Sequence, residues 1–247
     1  MAINKTSKQE PIPDAGANTS SGEMVIRKAE RKQAKIRLGI CGTSGSGKTY
    51  GALLVAKGLG KKILLVDTES GSGDLYADVT TYDVLPIEPP YTAEKYMKAM
   101  EMAEESGYDV VILDSISHAW AGQGGLLERQ NFAAKRTGNS YTAWAEITPI
   151  HQKFVEKMLG CKAHLIATMR SKPEYVIDKT PDGRTSIRKL GLAPVQREGL
   201  DHEFTIVFDV DGEHNAFPSK DRTGMFDGQT VKLSEDVGKK ISKWLGV

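Results

Sequence analysis

The chain has 247 residues, 39% hydrophobic and 26% charged, ordinary globular values that exclude wholesale disorder. Lys plus Arg is 33 against 32 Asp plus Glu, a net charge of +1, which excludes a histone-like mass binder of nucleic acid and confines any basic surface to a local patch. The two distant cysteines, Cys41 and Cys161, make no disulfide framework and read as reduced core thiols of a cytoplasmic protein; no apolar run is long enough to span a membrane, and the start of the chain lacks a hydrophobic signal region.

In chain order, residues 1–23 are polar, with Pro11, Pro13, Gly16 and a Thr19-Ser20-Ser21 cluster, and are expected to form a flexible tail. Residues 24–37 set Arg27, Lys28, Arg31, Lys32, Lys35 and Arg37 against the single acid Glu30. They read as a solvated helix or linker, or as a contact to DNA phosphate or a neighbouring subunit. The division that follows is a polar and basic tail over 1–35 and one folded domain over 36–247. In that domain, strands are expected over 36–41, 62–67, 82–87, 110–114, 164–169 and 204–210. Helices are expected over 51–59, from a Thr92 cap to Glu105, over 141–159 with a break near Pro149, and from a Ser234 cap to Trp244. Tyr175-Val176-Ile177 and Ser186-Ile187-Arg188 flank Pro181-Asp182-Gly183 and read as a hairpin. Strands alternating with helices predict an α/β fold with a mostly parallel central sheet flanked by helices.

Gly42-Thr43-Ser44-Gly45-Ser46-Gly47-Lys48-Thr49 fits the phosphate-loop pattern G-x-x-x-x-G-K-[ST] in full. Glycines let the backbone curl so that its N–H groups face phosphate oxygens, and the helix leaving from Tyr50 presents its positive end to the same anion. Lys48 is expected to reach the β- and γ-phosphates of ATP, and Thr49 to ligate Mg²⁺. Val110-Val111-Ile112-Leu113-Asp114 is an apolar strand ending in an acid, the expected second Mg²⁺ residue. Asp114 is followed by Ser115 rather than Glu, so the base that orients the attacking water must come from elsewhere. Glu69, just past the strand ending in Asp67, is the available candidate.

The run Val66-Asp67-Thr68-Glu69 resembles the strand end of RecA-type recombinases that carries their catalytic Glu, and Asp114-Ser115 resembles their magnesium-site strand. The resemblance implies a RecA-like P-loop NTPase core, with Arg170 at the γ-phosphate sensor position where the recombinases carry Gln. Residues 36–247 look similar to phage-encoded ATPases with a shortened RecA core, often described as AAA-family, through Thr168-Met169-Arg170-Ser171-Lys172, Pro194–Leu200 and Ser219–Gly224. Such proteins are encoded beside single-strand annealing or single-strand-binding proteins. This implies a homo-oligomer, ring or filament, acting on single-stranded DNA in recombination or annealing in the host cytoplasm. The DNA loops of such cores would correspond to residues 119–140, with Gly122, Gly124, Gly125, Arg129, Lys135 and Arg136, and 171–192, with Lys172, Lys179, Arg184, Arg188 and Lys189. Trp120 and Tyr175 read either as base-stacking rings or as core.

Lys220-Asp221-Arg222 places two cations on one side of an extended segment. It resembles the Lys-Asn-Arg segment of RadA-like and ring-helicase folds, which implies that Lys220 and Arg222 act on a neighbouring subunit's ATP. The five histidines lack metal-ligand spacing. Two other functions stay open beside the DNA-dependent ATPase: a helicase-like or loader motor, and a nucleotide-dependent binding module with negligible turnover.

Overall fold

Ile63–Asp67 (β2) and Val110–Asp114 (β4) are buried at every residue. A strand apolar without alternation must be covered on both faces, and that requirement shapes the whole molecule. The protein is described as a computed structural model over residues 26, 28, 29, 34–179 and 185–246, with backbone alone for 173–179 and 185–191. The tail and basic segment expected over 1–35 and the turn Pro181-Asp182-Gly183 fall almost entirely outside the described residues.

The elements are Arg37–Gly42 (β1), Lys48–Leu59 (α1), β2, Asp83–Pro86 (β3), Ala93–Glu105 (α2), β4, Ser117–Ala121 (α3), Leu126–Thr137 (α4) and Ser140–Gly160 (α5). His164–Lys179 (β5), Thr185–Pro194 (β6), Ile206–Val210 (β7), Ala216–Asp221 (β8) and Glu235–Leu245 (α6) complete them. The sheet order is β3-β2-β4-β5-β1-β7-β8, with β6 paired to β5. The pairs from β3 across to β7 are parallel, while β7–β8 and β5–β6 are antiparallel. The expected mostly parallel α/β sheet is present. β5 lies between the loop-bearing β1 and the acid-bearing β4, pairing with both.

Alternate side chains feed two cores. Leu64, Val66, Val111 and Leu113 meet Tyr96, Met100, Phe154 and Met158 on one face. Leu65, Ile112, Ile40 and Phe208 meet Leu53, Val55 and Ile241 on the other. Val237, Ile241 and Leu245 recur every fourth residue of α6, and each buried side chain of this size contributes about 1.5–3 kcal/mol. α6 meets α1 at backbone level: a Cβ on Gly238 would lie 2.1 Å from the Val55 carbonyl oxygen, and one on Gly58 2.2 Å from that of Glu235.

Several expectations are corrected. α5 runs unbroken through Pro149. The carbonyl that proline leaves without a donor belongs to Ala145, on the exposed side of the helix, where it is open to solvent. Residues 119–140 are not one glycine-rich loop but the end of α3, a short turn over 122–125, all of α4 and the start of α5. Leu126, Gln130 and Ala133 bury one face of α4, and Gly138 caps it in the left-handed region at φ 67°. Trp120 is buried, stacked on Trp144 at 5.9 Å and edge-on to His151, so it is core and offers no face to a base. Thr92 and Ser234 occupy cap positions, yet neither side chain makes a cap hydrogen bond. Arg37 is not a solvated cation. It is buried at the foot of β1, and its guanidinium donates to the carbonyls of Leu159, Ile36, Ala163 and Cys161, which closes the C-terminal end of α5. Cys41 and Cys161 are both buried and unpaired.

Candidate nucleotide site

The C-terminal ends of β1, β2, β4 and β5 converge on one edge of the sheet, the edge at which open α/β sheets bind ligands. β1 releases the chain at Gly42, where a Cβ would sit 2.4 Å from Ser46 Oγ and 2.8 Å from the Val210 carbonyl oxygen. Gly45 and Gly47 turn the loop at φ 78° and 86°, in the left-handed region that favours glycine. α1 then begins at Lys48, so Lys48 and Thr49 both stand in its first turn. The loop, Glu69, Asp114 and Arg170 line one cavity of about 540 Å³.

Lys48 Nζ donates to the Thr43 carbonyl at 2.7 Å. Burial lowers its pKa, opposed by the nearby carboxylates of Asp114 and Glu69. Thr49 Oγ1 donates to Asp114 Oδ2 at 2.5 Å, and Thr168 Oγ1, from β5, donates to Oδ1. Asp114 is 2% exposed. Burial raises its pKa, against the opposing effect of the two hydroxyl donors. A buried carboxylate that two hydroxyls leave short of full compensation gains from a cation. Its all-oxygen surroundings fit a hard divalent ion such as Mg²⁺, with Thr49 and Asp114 as the residues to hold it.

Glu69 leaves β2 in a turn built by Asp67, whose carboxylate accepts the N–H groups of Glu69 at 2.6 Å, Gly71 at 2.9 Å and Gly73 at 3.2 Å. The Glu69 carboxylate receives Arg170 Nε at 3.1 Å and Nη2 at 2.5 Å. Ser115 Oγ lies 3.5 Å from the same carboxylate. The Arg170 N–H donates to Ser117 Oγ at 2.9 Å, which fixes the root of the arginine.

Beyond the loop the cavity is walled by the rings of Tyr50 and Tyr76, 6.1 Å apart, and by Val210, His214, Lys232 and Leu233. Of these only Tyr50 was expected from sequence. Tyr76 follows Glu69 on a 3₁₀ turn over Ser72–Tyr76, a tyrosine in a polar loop with no motif around it. His214 and Lys232 come from segments distant in sequence, brought to the loop by the pairing of β7 with β1 and, for Lys232, by the Ala216–Val231 bridge beside it. Thr168 was also missed; its one signal is a hydroxyl in an otherwise apolar strand.

Lys220 and Arg222 lie apart from this cavity, on and just past the edge strand β8. Both cations converge on the His202 carbonyl, Arg222 Nη2 at 2.9 Å, and Lys220 Nζ also reaches the Asp201 carbonyl at 3.2 Å. Asp221 points the other way and accepts from Thr223 and the Phe226 N–H. Burial, and then the Arg222 charge, lower the Lys220 pKa.

The AAA_24 family model, an AAA domain, matches residues 34–240, from the foot of β1 into α6. No curated protein matches the chain. The match covers most of the length, on a mostly parallel sheet whose phosphate loop and buried Asp114 meet at one cavity, and it shows the family: the chain belongs to the AAA_24 family of AAA-domain P-loop ATPases.

Proposed function

We propose that the protein is a Mg²⁺-dependent ATP hydrolase of the RecA-like class that binds single-stranded DNA and supports phage recombination or annealing. The observation that carries the hydrolase is the meeting of Lys48, Thr49, Asp114 and Glu69 on one cavity. In this reading the N–H groups of Gly42–Thr49 cradle the phosphates, with Thr43, Ser44 and Ser46 supplying backbone and Lys48 supplying charge. Tyr50 packs beside the nucleotide. Thr49 and Asp114 hold Mg²⁺, which when bound neutralises phosphate charge. Glu69 takes the proton of the attacking water, and Arg170 exchanges its hold on Glu69 for the γ-phosphate. Lys220 and Arg222 serve the ATP of a neighbouring copy in a homo-oligomer; their convergence on a single carbonyl supports this, because both then reach one acceptor.

Exposed apolar rings support the nucleic-acid part. Phe132 is 63% and Tyr141 86% exposed on α4 and α5. Arg129 and Arg136 beside them are engaged by Glu94 and Glu146, so in this reading phosphate contacts fall to Lys135 and Lys172, while the expected contacts Lys179, Arg184, Arg188 and Lys189 lie outside the residues whose side chains are described. A single-strand annealing or single-strand-binding protein is the expected partner. The Glu69–Arg170 pair favours a second reading, a nucleotide-dependent binding module whose base stays engaged and whose turnover is slow. The test is the ATPase rate with and without single-stranded DNA at two salt concentrations. Stimulation that weakens with salt supports the DNA-dependent hydrolase. A measurable rate that DNA leaves unchanged, with no salt-sensitive binding, removes the DNA part, and no turnover in either case favours the binding module.

A further inference from the structure

The turn between β7 and β8 is held by one carboxylate. Asp211 accepts the N–H of Glu213 at 2.9 Å, that of Asn215 at 2.8 Å, and the Asn215 amide at 3.0 Å. Within it His214 stands at φ 64°, a left-handed conformation uncommon for a residue with a side chain. The ring lies against the phosphate loop: a Cβ on Gly47 would come within 3.1 Å of its Nδ1. Nδ1 itself is 2.9 Å from the Ser46 carbonyl oxygen.

A carbonyl only accepts, so Nδ1 must carry the proton of this bond. In the neutral ring Nε2 is then an acceptor, and among the described residues it has no partner. The ring lines the cavity beyond the loop, where Tyr50, Tyr76, Val210 and Leu233 form apolar walls suited to a flat base. Lys232, on the same lining, has its ammonium on the Glu213 carbonyl. A purine with an amino group at position 6 offers a donor to Nε2, whereas one with a 6-oxo group offers a second acceptor.

We propose that His214 reads the base of the bound nucleoside triphosphate and selects a 6-amino purine over a 6-oxo purine. The inference rests on the phosphate-loop reading above and adds the ring that sets base identity. The loop carbonyl fixes the tautomer, so the residue that reads the base is oriented by the segment that binds the phosphates.

Titration calorimetry of the full chain at pH 8 with Mg²⁺ and either ATP or ITP confines the comparison to the N1 and position-6 edge of the purine, because inosine lacks the 2-amino group of guanine. ATP is expected to bind about tenfold tighter than ITP, the cost of facing two acceptors. In His214→Leu the two should bind within about twofold, through loss of ATP affinity. Nitrogen-15 NMR of the wild-type imidazole should show the Nδ1–H tautomer, with an Nε2 shift on adding ATP and none on adding ITP. Equal binding of ATP and ITP by the wild type overturns the proposal while leaving the phosphate loop intact. So does an Nε2–H tautomer, or a preference for ITP that depends on Lys232. Binding of neither nucleotide overturns the phosphate-loop reading and this one with it.

Discussion

His164 opens β5, and its Nδ1 accepts the Ile36 N–H at 3.1 Å. The ring is 5% exposed, and burial, reinforced by Lys35 and Arg37 and opposed by Asp109, pushes its pKa down to about 4. In the unfolded chain the imidazole takes up its proton near pH ~6.5. Between those values the unfolded state binds more protons, so stability is full above pH ~6.5 and falls as the pH drops toward 4. Moving from pH 7.5 to pH 5 should remove about 2 kcal/mol through this residue alone. His151 is 7% exposed, and burial and Arg197 bring its pKa to about 4, so it adds a loss of similar size. The assay is urea unfolding of wild type and His164→Asn at pH 7.5 and pH 5. The asparagine carbonyl keeps an acceptor for the Ile36 N–H and cannot titrate. Wild type should lose about 2 kcal/mol more than the variant over that interval. Equal losses would show that His164 is not held neutral by its surroundings, and the reasoning fails.

Glu69→Gln should keep nucleotide binding and lose turnover by about 10²–10⁴-fold, read by calorimetry and phosphate release, whereas Lys48→Ala should lose binding itself; turnover of Glu69→Gln within about threefold of wild type contradicts its role as base. Arg222→Ala and Glu69→Gln proteins should each be inactive alone and regain part of the rate when mixed, because an intact Glu69 site then meets an intact Arg222. Assemblies shown to be mixed that stay inactive remove the in-trans role. Gly238→Ala should force α6 about 1 Å away from the Val55 carbonyl and cost about 1–3 kcal/mol in urea unfolding. Unchanged stability would mean that the two backbones do not approach as closely as described.

The phosphate loop was legible because its chemistry is contiguous: one strand, one turn and one helix N-terminus supply all of it. Asp114 was legible because an acid closing an apolar strand stands out. The five-residue β2 and β4 were read correctly because a strand buried on both faces leaves an unbroken apolar run. The four glycines of residues 119–140 gave the opposite lesson. Gly122, Gly124 and Gly125 fill only the short turn before α4 and Gly138 closes that helix, whose period is hidden because one of its three buried positions is Gln130. Thr168, Tyr76 and His214 were illegible for a different reason. Each meets the site across a strand pairing or a turn whose position no local signal encodes.

β5 has a mechanical consequence. Its pairing passes from Gly42 opposite Arg170 to Pro194 opposite Ser171 with no unpaired residue between. The strand that carries Thr168 and Arg170 therefore enters the hairpin without a joint. The first irregularity comes at Glu174/Tyr175, where the register with β6 shifts. A bulge is where a paired ribbon bends and twists most easily. The near part of the hairpin is thus a continuous extension of the sheet, and the register shift is the point at which the far part can bend away from it. The same continuous strand carries Thr168, which donates to Asp114, and Arg170, which donates to Glu69.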